Sequence, residues 1–263
     1  MDNISFMSKA EVKEYEDFAA NRLGLKFHNI DLLVTALTHR SYVNEHLTTC
    51  VNHNERLEFL GVAILELVSS DFLYRNFNEP EGVMTAWRST LVRTESIAEA
   101  GEKLGYGPLV RLSKGEQSGP NRSHEAIMAD CFEAVIGAIY LDQGFKTARK
   151  FIYDHILVKI DDVISEETWR DPKSYFQELA QRFDGVPPQY RTLREEGPDH
   201  DKTFTVAAYV GGEVMATASG HSKQEAQVIC ARTAIKKYQQ AYKDELPPHE
   251  NPERLCPNWL DLV

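Results

Sequence analysis

The sequence predicts an all-α domain followed by a small α+β domain of order α-β-β-β-α. Three observations carry this reading. From Glu11 to about Ile164 apolar residues recur at three-to-four spacing with few breaks; between Gln189 and Gly220 the period drops to two around turn residues; and a short polar stretch, 165–170, separates the two patterns.

The helical stretches are "EYEDFAANRLGL", "NIDLLVTALTHRSY", the run from His53 to Phe77, "GVMTAWRSTLVRTESIAEAGEKLG", "HEAIMADCFEAVIGAIYLDQG" and "FKTARKFIYDHILVKIDDVI". Gly24, "NEPEG", "GYGP" and "KGEQSGPNRS" interrupt them, because glycine and proline end helices. A first domain is expected over 11–164 and a linker over 165–170. Asp171 can then cap a helix with Pro172 at its first position, "DPKSYFQELAQRF". "QYRTLREEG", "KTFTVAAYVGG" and "EVMATASG" alternate as strands, and Ser222 opens a last helix, "SKQEAQVICARTAIKKYQQAY", which bounds a second domain at 171–240. The tail 241–263 is proline-containing with few periodic residues and is expected to be unstructured or loosely docked.

The 263 residues, 42% hydrophobic and 26% charged, have an ordinary globular composition. No apolar run approaches a membrane span, and Met1 to Tyr15 lacks the apolar core of a signal peptide, so a cytoplasmic location without membrane attachment is the expectation. Cys50, Cys131, Cys230 and Cys256 are scattered, so neither a zinc site nor a disulfide framework is expected. The net charge of −11 opposes a generic nucleic-acid binder, yet the acidity is uneven. Residues 1–170 hold 18 Lys+Arg against 26 Asp+Glu, residues 171–240 hold 9 against 9, and residues 241–263 hold 2 against 5.

Within "HNERLEFLGVAILELV", Glu55 and Glu58 lie three apart on a helix otherwise apolar enough to be buried on nearly every face, with position 62 one turn further on. In "MADCFEAVIGAIY", Asp130 and Glu133 repeat the spacing. Two buried helices that each present paired carboxylates suggest a site for a divalent metal, which would gather acids that otherwise repel. Phosphodiester hydrolysis suits such a site. Spacing alone leaves ordinary ion pairs as the alternative: Glu55 with Arg56, or Glu58 with Arg40 or Arg88.

"ALTHRS", "HNERLEFLG", "EGVMTAWRSTLVR" and "IMADCFEAVIGAIYLDQGF" resemble the catalytic domain of bacterial ribonuclease III, from about Leu23 to Phe145. The resemblance implies a homodimer in which each subunit uses Mg²⁺, with Mn²⁺ as a substitute and no small-molecule cofactor, to cut one strand of double-stranded RNA such as ribosomal precursors. It makes Glu58, Asp130 and Glu133 metal ligands, Glu55 the acid at the start of the signature and Glu81 the acid of the "EG" turn. Position 62 departs from the pattern. The family reads "ERLEFLGD", its aspartate a further ligand, whereas this chain reads "ERLEFLGV". Val62 offers no oxygen, and Mg²⁺ tolerates imperfect octahedral geometry badly. Three readings follow: an endoribonuclease impaired at this position, a non-cleaving double-stranded-RNA-binding or scaffold protein on the same fold, and a regulatory subunit impaired alone but paired with an active homologue.

The second domain resembles a double-stranded-RNA-binding domain. "PKSYFQELAQ" implies that Ser174, Gln177 and Glu178 meet the minor groove, "GPDHDKTFTV" places His200 in a "GPxH" turn, and "GHSKQEAQVICA" implies that Ser222 and Lys223 grip phosphate at a helix start. Gln224 replaces the second lysine of that motif, and with the domain near neutral this implies weak, shape-driven binding.

Overall fold

The computed structural model describes residues 3–46, 48, 52–118, 121–165, 169–198, 202–243, 245, 254–256 and 259–261. They form two compact units, one of 1–166 together with 251–263 and the other of 167–250. The first is helical and the second an α-β-β-β-α layer, as the sequence predicts.

In the helical unit Ser8 caps α1, Lys9–Phe18, through a reciprocal bond with Glu11. The helix widens into a π turn, Ala19–Leu23, and stops at Gly24, whose φ of +65° suits glycine. Then come α2 (Ile30–Ala36), α3 (Arg40–Glu45), α4 (Glu55–Asn76), α5 (Glu81–Leu91), α6 (Thr94–Leu104), α7 (Lys114–Gln117), α8 (Asn121–Gln143), α9 (Phe145–His155) and α10 (Ile160–Ser165). The pattern "NIDLLVTALTHRSY" is therefore split. The Leu37 carbonyl accepts from Arg111 N–H and His39 N–H donates to the Arg111 carbonyl, so 37–39 pair with a distant segment and leave the helix.

Helices α4 and α8 cross at the centre of this unit, where glycine decides their separation. A Cβ on Gly61 would lie 1.7 Å from the Glu133 carbonyl oxygen, and one on Gly137 would lie 2.3 Å from that of Leu57. Only glycine at both positions lets the backbones touch. Leu65, Val68, Phe72, Phe132, Ile136 and Ile139 fill the core on either side.

The end of the tail, expected to be unstructured or loosely docked, belongs to this unit. Trp259 is 2% exposed, and one buried indole outweighs the surrounding prolines and polar residues that suggested disorder.

In the second unit, Asp171 accepts from Ser174 N–H at 2.9 Å and starts α11, Pro172–Phe183. Strands β1 (Gln189–Glu196), β2 (Thr203–Val210) and β3 (Glu213–Gly220) pair antiparallel in that order, with Gly211 and Gly212 at positive φ between the last two. Ser222 accepts from Glu225 N–H and starts α12, Lys223–Ala241. Phe176, Leu179, Ala208, Ala216, Ala231 and Tyr238 are buried together between sheet and helices.

Among the described residues no helix is long and apolar enough to cross a membrane. Cys131, Cys230 and Cys256 are free thiols, and Cys50 lies outside the described residues.

Candidate active site

The glycine-tight crossing of α4 and α8 places Glu58, three residues before Gly61, beside Glu133 and Asp130. One carboxylate oxygen from each of the three lies within 4.8 Å of the others, and each residue is half-buried. This proximity is electrostatically costly without a counterion. Burial, then Asp130 and Glu58, push the Glu133 carboxyl up to about 7. Glu58 is raised by burial and by Asp130 and Glu55, and Asp130 is raised by burial against the opposing pull of His39. Three clustered oxygen donors with no sulfur or nitrogen among them fit a hard divalent cation, which would remove the repulsion.

Val62 lies one turn beyond Glu58 on α4, is 37% exposed and adds no donor. One turn further, Glu66 is held by Arg88 at 3.1 Å, and Arg88 also donates to Ser70 Oγ at 2.6 Å. Glu66 contributes to the raised Glu133 value and was not singled out in the sequence. Its four-residue spacing from Val62 was the available signal.

The other two candidate acids stand outside the trio. Glu55 is paired with Arg40 at 3.2 Å and faces His53 at 3.8 Å. Its charge still reaches Glu58 and Asp130. Glu81 opens α5, accepts from Thr85 Oγ1 at 2.8 Å and lines a cavity with Ser70, Leu73, Tyr74, Met84 and Arg88. Of the ion pairs set against the metal reading, none forms as written: Glu55 takes Arg40, Arg88 takes Glu66, and Glu58 joins the carboxylates. The helix is also less buried than its composition suggests. Phe59, Leu67 and Tyr74 are 81%, 59% and 76% exposed in the single chain.

In the second unit, Gln177 and Glu178 are exposed on α11. Ser174 is exposed too, with its hydroxyl donating to Asp171 at 2.8 Å. Ser222 uses its side chain as the helix cap, and exposed Lys223 contacts Glu195 at 2.5 Å beside the Phe204 ring. His200 lies outside the described residues.

A family model described as Ribonuclease-III-like matches residues 29–160, and one described as double-stranded RNA binding motif matches 172–238. A curated Desulforamulus reducens protein named Ribonuclease 3 is 42% identical over 230 residues, covering 87% of this chain and 93% of its own length. One of the same name from Enterococcus faecalis is 43% identical over 217 residues, covering 82% and 94%. A solved nuclease domain of ribonuclease III from Campylobacter jejuni aligns with TM-score 0.48 and 33% identity over 53% of this chain and 96% of that one.

Proposed function

This chain belongs to the ribonuclease III family, and we propose on that premise that it is a divalent-cation-dependent endonuclease of double-stranded RNA, ribosomal precursors among its substrates. The observation that carries the reading is the convergence of Glu58, Asp130 and Glu133. These three would hold the cation, Mg²⁺ or Mn²⁺, which when bound supplies Lewis acidity to activate water and to neutralise charge on the phosphate. Without the cation, burial and the neighbouring acids raise the Glu133 carboxyl, and the charge of a bound cation would hold it ionised as a ligand. Glu55, paired with Arg40 at the start of α4, adds negative charge beside the trio without joining it.

The second domain supplies the duplex contacts in this proposal. Gln177 and Glu178 present hydrogen-bonding groups suited to 2′-hydroxyls, and Ser222, Lys223 and the first N–H groups of α12 suit phosphate. Lys223 must leave Glu195 to do so, which supports weak, shape-driven binding. We also propose a homodimer. Phe59, Leu67 and Tyr74 form an exposed apolar row along α4, of the kind a two-fold partner covers.

Val62 favours a second reading, a duplex-binding protein that does not cleave. Incubating the purified chain with a long RNA duplex in Mg²⁺, in Mn²⁺ and in EDTA separates the two. Cleavage that needs the cation and disappears in Glu133→Gln is the result expected, and binding without cleavage in either cation leaves the scaffold reading.

A further inference from the structure

The end of the chain packs against the helical unit through contacts that neither the carboxylates nor RNA binding explains. Trp259 meets the Phe72 ring edge-on at 5.2 Å and Tyr153 at 6.2 Å, while its indole N–H donates to Asp71 Oδ2 at 2.7 Å. Arg149 of α9 is only 2% exposed; its guanidinium donates to the Leu260 carbonyl and lies 5.0 Å from the Trp259 ring. A buried guanidinium is costly unless it is partnered, so the helical unit is built to receive this segment. Leu255 N–H donates at 2.8 Å to the Asn76 carbonyl, one of the acceptors that the last turn of α4 leaves open. Arg254 closes the set by pairing with Asp161 of α10 at 2.7 Å.

We propose that the C-terminal ends of α4 and α9, with α10, form a specific seat for residues 254–256 and 259–260 of the same chain, with Trp259 as anchor, and that filling the seat stabilises the helical unit. Asp71 lies thirteen residues from Glu58 on α4, roughly 20 Å along a helix rising 1.5 Å per residue. The seat therefore stabilises the helical unit and leaves the carboxylates untouched.

The test uses the full chain with a protease site inserted between Glu250 and Asn251. After cleavage, residues 251–263 are expected to stay with the body on size exclusion. After their removal in mild denaturant the melting temperature should fall by several degrees, returning when the free peptide is added and staying low with a Trp259→Ala peptide. An unchanged melting temperature without the segment, or equal rescue by the altered peptide, overturns the seat. Neither readout depends on nuclease activity.

Discussion

Replacing Val62 with aspartate puts a carboxylate one turn from Glu58 and gives the cluster a fourth acid. A unit charge about 4 Å from another is worth about 4 kcal/mol at an effective dielectric of 20. Position 62 is 37% exposed, so solvent screening lowers this to on the order of 3 kcal/mol. Expressed entirely in the transition state, that is about a hundredfold in rate. The same charge repels its neighbours when no cation is present. Val62→Asp should therefore melt about 2–4 °C lower in EDTA, the shift expected for about 1 kcal/mol in a chain of this size, and should gain more from added Mg²⁺ than the unaltered chain does. Single-turnover cleavage of a long RNA duplex, with Mg²⁺ and Mn²⁺ titrated separately, measures the rate. The unaltered chain is expected to cleave slowly or only at high Mn²⁺, and the variant about a hundred times faster in Mg²⁺. The double variant Val62→Asp with Glu133→Gln should be inactive. Full activity in the unaltered chain would refute the reasoning by showing position 62 dispensable, and no gain from Val62→Asp would show that Glu58, Asp130 and Glu133 are not poised for catalysis.

Four further outcomes follow. In EDTA the protein should lose stability as pH rises from about 4.5 to about 7, because Glu133 binds its proton more tightly folded than unfolded; the loss, about 2 kcal/mol after screening, should be reversed by Mn²⁺, and a flat melting profile in EDTA would contradict it. Gly61→Ala, whose methyl would lie 1.7 Å from the Glu133 carbonyl oxygen, should cost about 3 kcal/mol or more by denaturant titration and should weaken Mn²⁺ binding together with stability. Gel shifts in EDTA should still retard duplex RNA, with much less retention of the DNA duplex of the same sequence; Lys223→Ala should reduce the salt slope by about 1, and equal binding of RNA and DNA would remove the 2′-hydroxyl reading. Light scattering should report twice the chain mass, and Leu67→Arg, on the exposed row of α4, should give a monomer that keeps its helical circular dichroism.

What the sequence disclosed divides along the range of the forces involved. Asp171, Pro172 and Ser222 were legible because a cap is decided by residues two or three apart, and the structure has those bonds. The pairing of acids within α4 and within α8 was legible for the same reason. That the two pairs meet depends on Gly61 and Gly137, whose role is visible only when one backbone is laid against the other. The break at 37–39 depends on Arg111 and the burial of Trp259 on Arg149 and Asp71, partners more than seventy residues away that no local pattern announces. Exposure of Phe59 and Leu67 was likewise illegible, because an apolar helix face reads the same whether it meets its own core or another surface.

Val62 sits where these two kinds of constraint diverge. Its side chain is partly exposed one turn along α4 from Glu58, so exchanging it with aspartate opens no cavity and the packing of α4 on α8 does not resist either residue. The electrostatics are not indifferent. Burial, with Asp130 and Glu58 beside it, already raises the Glu133 carboxyl, and a fourth acid would add to the repulsion wherever cation is scarce. On the proposed reading, valine in place of aspartate would make the cation-free fold more stable by removing a charge and would weaken cation binding by the same removal. A substitution that is silent in packing and opposite in sign for stability and for catalysis can persist in a chain whose other acids remain, so the intact trio and the missing aspartate are compatible on physical grounds.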